Sequence, residues 1–168
     1  HKEYRRQRQM CIRDRDEPFG ALDPIIRTKA QADLLAIQKR FGTTIVFVTH
    51  DMEEAIHLGD KIAVMDGGKV VQYASPKEIL SRPATMFVDR LVGTGDRPFR
   101  YLSLSGVGDL VEQGEASGAP IARDASRRDA LAELLWSGRD VAPVADSAGA
   151  TLGIIRRARL IAEAARPA

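Results

Sequence analysis

Apolar side chains recur at Ile26, Ala30, Leu34, Ile37 and Phe41, in steps of four, four, three and four. This spacing predicts an amphipathic helix over residues 24–41 with those five on one face. The flanks agree. Asp23 can accept hydrogen bonds from first-turn amides, Pro24 at the first helical position gives up no needed donor, and Gly42 supplies the stop. The pattern then changes. Thr44, Ile45, Val46, Phe47, Val48 and Thr49 form a run without polar alternation. Such a run is expected of a parallel strand covered on both faces. A helix followed by that strand is half of an α/β unit.

Asp51 is the expected cap of a second helix, with Glu54 three residues on as its capping-box partner. That helix runs to about Leu58 and stops at Gly59. Residues 61–65 read as a buried strand, Asp66-Gly67-Gly68 as a tight turn, and residues 69–73 as the returning strand of a hairpin. Ser75, Pro76 and Glu78 repeat the helix-start signal, and the short helix they open ends near Arg82-Pro83. Residues 84–92 are again helical in pattern, with Phe87, Val88 and Leu91 on one side. Glycine and proline then gather over residues 93–98, the best candidate for a linker. Beyond it, residues 123–165 read as strand, helix, strand, strand, helix. Asp124-Ala125-Ser126 starts the first helix, which runs through Ala130, Leu131, Leu134 and Leu135.

Residues 1–15 are basic and have no helical or alternating periodicity. Three readings stand: a basic arm for phosphate or anionic lipid, a disordered tail, or a foreign segment, since residues 10–15 look like translated adapter sequence. They carry no weight in the fold reading.

Composition narrows the class. Over 168 residues, 44% hydrophobic content is enough for a packed core, and a formal net charge of +2 creates no field pointing to nucleic acid. No apolar run approaches the about 18 residues of a membrane span. Nor is there an apolar signal segment. Cys11 is the only cysteine, so an internal disulfide is excluded. A soluble protein of a reducing cytosol is expected.

The candidate chemistry sits at two places. Asp16 and Glu17 precede Pro18, and Gly20, Ala21, Leu22 and Asp23 follow. Thr49-His50-Asp51 closes the apolar run. Two carboxylates and a histidine at the ends of predicted strands is an arrangement for phosphoryl transfer. His57, mid-helix, reads as an ordinary exposed side chain, and Asp51 and Glu54 most simply as caps.

Asp16-Glu17-Pro18-Phe19-Gly20-Ala21-Leu22-Asp23 followed by Thr49-His50-Asp51 resembles the second half of an ABC transporter ATP-binding subunit. Residues 66–72 and 75–80 fit the importer ATPases, and residues 83–104 are similar to the osmoprotectant branch. Importers of glycine betaine, choline, proline or related quaternary amines make up that branch. The resemblance implies that Asp16 is the Walker B aspartate holding Mg²⁺, as a hard cation prefers oxygen ligands. It implies that Glu17 is the general base for the attacking water, and His50 the switch histidine on the ATP γ-phosphate. Asp23 would lie in the loop facing the opposite subunit across the ATP sandwich, a role it can combine with capping. The implied partners are a membrane permease, a second ATPase subunit in a homodimer, and indirectly a substrate-binding protein. The implied location is cytoplasmic, peripheral on the inner face of the membrane.

No Gly-x-x-x-x-Gly-Lys followed by Ser or Thr occurs, and neither the glutamine loop nor the Leu-Ser-Gly-Gly-Gln signature is present. The strand expected before Asp16 is replaced by Ile12-Arg13-Asp14-Arg15. The expectation is a fragment whose first half is absent and which does not hydrolyse ATP alone. The C-terminal region resembles a CBS motif in residues 121–126, Ala130, Leu131, residues 141–144, Asp146 and residues 152–155. A remnant of another copy would fall at residues 107–113. Arg156 and Arg159 stand where adenosyl-binding members carry Thr or Ser and Asp, which argues against nucleotide sensing. Together with Arg157, Arg127, Arg128 and Arg139 they would instead offer a cationic face to anionic lipid, alongside the plainer reading of a solvated basic face.

The fold class expected is therefore α/β. It comprises the C-terminal half of a P-loop (RecA-like) ABC ATPase domain with parallel strands and a small β-hairpin, then a small α/β CBS-like module. The expected domains are residues 1–15 (disordered or foreign), 16–93 (partial ATPase), 94–106 (linker) and 107–168 (CBS-like module). The expected function is the ATP-binding, hydrolysing subunit of an osmoprotectant importer. The alternatives are a freestanding CBS-type regulatory protein with a vestigial ATPase half and, weakest, a metal-dependent hydrolase using Asp16, Glu17 and His50.

Overall fold

In the computed structural model, which describes residues 19–165, the helix read from the first periodicity is α1 (Pro24–Phe41). Its ends are built as the caps dictate. Asp23 Oδ1 accepts from the amides of Ile25 at 3.0 Å and Ile26 at 3.1 Å. Gly42 takes the left-handed conformation at φ 59° and donates to the Gln38 carbonyl. The covered face, however, is rotated from the expected one. Ile26, Ile37 and Phe41 are more than half exposed, while Arg27, Gln31, Leu34, Leu35 and Gln38 are buried or half-buried. Gln31 can face inward because it donates to Glu54, which removes the main cost of burying it, while Arg27 is half-buried and donates to the Leu22 carbonyl at 3.4 Å.

The run 44–49 corrects a second expectation. It is not covered on both faces. Ile45, Phe47 and Thr49 are half-buried, and Val46 and Val48 are each 51% exposed. Only Ile45 and Val48 make isolated bridges. Phe47 meets the buried ring of Phe19 at 5.6 Å between centroids, so a single face carries the packing. Coverage on both faces needs flanking strands and two layers. Among the described residues of this part of the chain the remaining elements are α1 and α2 (Met52–Leu58).

The described residues fall into two compact units that divide between Leu58 and Gly59. The second opens with the expected hairpin, β1 (Ile62–Asp66) against β2 (Lys69–Ala74), antiparallel and pairing Ile62 with Ala74 and Asp66 with Lys69. Gly67 and Gly68 turn it with φ of 54° and 75°, the positive values a two-residue loop of this hand needs. The first strand is half-buried rather than buried: Ile62 and Val64 point inward, and Met65 is exposed. Helix α3 (Pro76–Ser81) starts from a complete capping box of Ser75 and Glu78, and α4 (Met86–Val92) from Thr85. On α4 the buried pair is Val88 and Val92. Phe87 and Leu91, expected beside Val88, are turned partly outward.

Residues 97–103, within the expected linker 94–106, form helix α5 (Arg97–Ser103). The core follows. A 3₁₀ turn (Val107–Leu110), β3 (Ile121–Ala122), α6 (Arg127–Trp136), β4 (Val141–Ala145), β5 (Thr151–Arg156) and α7 (Arg157–Ala164) complete the chain. The order strand, helix, strand, strand, helix is as expected. The sheet runs β3-β4-β5, parallel at the first pairing and antiparallel at the second. Leu102, Val107, Leu131, Leu134, Val144, Ile155 and Leu160 are buried in one apolar cluster. Fully burying a side chain of this size is worth about 1.5–3 kcal/mol. The protein is thus α/β, with one antiparallel and one mixed sheet. No helix among the described residues is long and apolar enough to cross a membrane.

Candidate functional site

The loop between the run 44–49 and α2 carries His50 on an exposed position. It is shaped by its neighbours. Asp51 caps α2, its Oδ1 accepting from the amides of Glu53 at 2.8 Å and Glu54 at 3.4 Å. The expected capping box is only half made, because the Glu54 side chain does not return to Asp51. Its Oε2 accepts from the Thr49 hydroxyl at 2.9 Å and its Oε1 from Gln31 Nε2 at 3.3 Å. The Asp51 amide is satisfied by Thr49 Oγ1 at 3.0 Å instead. Glu54 and Gln31 are the buried polar residues of this cluster, 7% and 9% exposed.

A cleft of about 150 Å³ opens here, lined by Gly20, Arg27, Thr49, His50, Asp51 and Glu54. Arg27 projects from α1 one turn beyond Asp23. Its Nη2 donates weakly to the Leu22 carbonyl at 3.4 Å, and its buried Nε has no partner among the described residues. The cleft therefore sets a guanidinium and an imidazole together, while the Thr49 hydroxyl already donates to Glu54 and the carboxylates of Asp51 and Glu54 are engaged by donors of the loop, α2 and α1. This donor set suits an anionic oxygen better than a cation. Among the described residues no three His, Cys, Asp or Glu side chains cluster as a metal-holding group.

Of the residues singled out by sequence, His50 lines the cleft. Asp23 caps α1 and is exposed to solvent without lining it. Asp16 and Glu17 lie outside the described residues, and the expected Mg²⁺ rests on Asp16. Sequence reasoning passed over Arg27, Gln31 and the paired use of Thr49 and Glu54. The available signal was Arg27 and Gln31 spaced four apart beside the apolar stripe of α1.

The arginines of the expected cationic face carry partners. Arg127 pairs with Glu163 at 2.6 Å and reaches the Gly106 carbonyl, and Arg139 pairs with Glu133 at 3.0 Å. Arg156 pairs with Glu112 at 3.2 Å, Arg157 with Asp140, and Arg159 with Glu163 at 3.8 Å. Carboxylates thus offset much of the positive charge there.

No family model matches the chain. Curated relatives do. The glycine betaine uptake system ATP-binding protein YehX of Escherichia coli (strain K12) is 41% identical over 150 residues, 89% of this chain and 49% of that protein. The trimethylamine N-oxide transport system ATP-binding protein TmoW of Ruegeria pomeroyi is 37% identical over 143 residues, 84% of this chain and 41% of that protein. The glycine betaine/carnitine/choline transport ATP-binding protein OpuCA of Bacillus subtilis (strain 168) is 51% identical over 78 residues, 46% of this chain and 20% of that protein. The chain spans about half the length, or less, of these relatives. Identity over 89% of the chain takes in residues on both sides of the division at Leu58, so the chain is similar along most of its length to the ATP-binding proteins of ABC transport systems.

Proposed function

We propose that the chain is part of the ATP-hydrolysing subunit of an ABC importer for glycine betaine, choline or a related osmoprotectant. The observation that carries this reading is the cleft pairing His50 with Arg27, in a chain whose relatives are named ATP-binding proteins of such transport systems. In this reading His50 donates a ring N–H to a γ-phosphate oxygen, and Arg27 offsets phosphate charge beside it. Glu17 accepts the proton of the attacking water, and a carboxylate is base enough for a water held in line with phosphorus. Asp16 would hold Mg²⁺, which supplies charge neutralisation across the phosphates. Asp23, already holding α1 by its cap, faces a second copy of the subunit.

The further assignments belong to the same proposal. A permease and, through it, a substrate-binding protein are the partners, at the inner face of the membrane. Residues 16–93 belong to the ATPase domain, and residues 107–168 form a CBS-like module. Lipid binding by that module has less support, since the ion pairs of its arginines compete with headgroups. The freestanding regulatory reading is not favoured, because the match to an ATP-binding protein runs over nearly the whole chain.

The test is steady-state ATP turnover by the protein of the complete reading frame. Glu17→Gln is expected to lower kcat by about 10²–10⁴-fold while ATP still binds. His50→Gln should also lower kcat. Unchanged turnover in Glu17→Gln would overturn the proposal.

A further inference from the structure

Glu54 is one of the most deeply buried polar groups near the cleft, 7% exposed. A carboxylate in that position is costly unless donors reach it. It has two, and they come from different places. Gln31 reaches it from α1, 23 residues earlier in the chain, at 3.3 Å. Thr49 reaches it from the residue before His50, at 2.9 Å. The same Thr49 hydroxyl accepts from the Asp51 amide, the residue after His50, at 3.0 Å. Asp51 is in turn fixed by accepting from the Glu53 and Glu54 amides.

We propose that Glu54 and Thr49 are positioning residues for His50. Both neighbours of His50 are tied through one hydroxyl to one buried carboxylate, and that carboxylate is tied to α1. The threonine suits the task because its β-branched side chain has few χ1 choices, so its hydroxyl direction follows the backbone. The loop that carries His50 is thereby referred to the frame of α1, the helix that Asp23 caps. Thr49 and Glu54 touch no reacting atom in this scheme. They set where the His50 ring stands.

The value of this arrangement for catalysis rests on the reading of His50 given above, but the positioning can be tested apart from it. The 168-residue chain, with ring-labelled histidine, gives NMR signals from His1, His50 and His57. The His50 signal is assigned by its loss in His50→Gln. Thr49→Val removes the hydroxyl at nearly constant shape and is expected to move the His50 signal by more than its linewidth. Thr49→Ser keeps the hydroxyl and should leave the signal close to its original place. Glu54→Ala should move it in the same direction as Thr49→Val, and should add little in a chain already carrying Thr49→Val, because both changes break one linkage. His57, on the same helix as Glu54, reports whether α2 itself survives. If Glu54→Ala melts α2, the Thr49 pair still decides the question. A His50 signal unmoved by Thr49→Val, or moved as far by Thr49→Ser, would overturn the proposal. Turnover unaffected by His50→Gln in the complete protein would instead remove the phosphate role and leave the positioning result standing.

Discussion

Ser75 and Glu78 are a closed loop of hydrogen bonds. The Glu78 amide donates to Ser75 Oγ at 3.3 Å, and Glu78 Oε2 accepts from the Ser75 hydroxyl at 2.7 Å and the Ser75 amide at 2.9 Å. Acceptance from the hydroxyl, and then from the amide, holds the Glu78 carboxyl below its ordinary pKa. The sign follows. A carboxyl whose folded-state pKa is depressed adds stability above its unfolded value, and loses it as pH falls through the folded value, below the usual roughly 4.3. The start of α3 should therefore loosen in acid, and Glu78→Gln should remove that pH dependence from the amide exchange of residues 77–79. Because the carboxylate is fully exposed, the effect stays local to the first turn. Ser75→Ala removes the hydroxyl that accepts from the Glu78 amide and donates to its carboxylate, keeps the backbone amide of residue 75, and is expected to cost about 1 kcal/mol in chemical denaturation. Equal acid sensitivity of the first turn in Glu78→Gln would show that another group governs it.

Helix α5 makes the sharper demand at the scale of elements. Leu102 is 1% exposed in the apolar cluster, and the helix packs on α3, α6 and α7. Leu102→Ala should lower stability by about 2–5 kcal/mol, as core truncations do. Phe99→Ala, on the same helix but 46% exposed, should cost much less. A Leu102→Ala chain with an unchanged denaturation midpoint would mean that α5 contributes little to the core. The reason α5 escaped the sequence reading is instructive. Gly93 and Gly95 just before it, with Pro98, read as linker composition, although a proline in the first turn is also a helix starter. By contrast α1, α3 and the β1–β2 hairpin were legible because their caps and turn residues act locally. The face of α1 was not, since it depends on where Arg27 and Gln31 find acceptors. The same limit applies to the site. Thr49-His50-Asp51 announced the loop, and Asp51 behaved as a cap. Glu54 matched the capping-box template so well that its real donor, Gln31, lay outside any local pattern.

The two compact units differ in what they bury. Residues 59–165 hold the apolar cluster, with Leu134, Val144, Ile155 and Leu160 at 0% exposure. Among the described residues of the first unit the buried side chains are Phe19, Gln31, Glu54 and Ile56, two of them polar. On α1 the apolar residues Ile25 and Phe41 are 83% and 65% exposed. Local opening is governed by how much apolar contact each segment loses when it opens. Helix α1 is long and well capped, but most helical stability in proteins comes from packing of an apolar face, so its caps alone do not hold it closed. The amides of α1 are therefore expected to exchange at least about tenfold faster than those of β4, β5 and α6 in the same chain, measured by hydrogen exchange and mass spectrometry. Glu54→Ala should speed α1 further, because it removes the acceptor that Gln31 reaches, and should leave β4 and β5 unchanged. Protection on α1 equal to that of β4 would mean that its exposed apolar stripe is covered in solution. Self-association seen at the same concentration by light scattering would then identify a second copy as the cover.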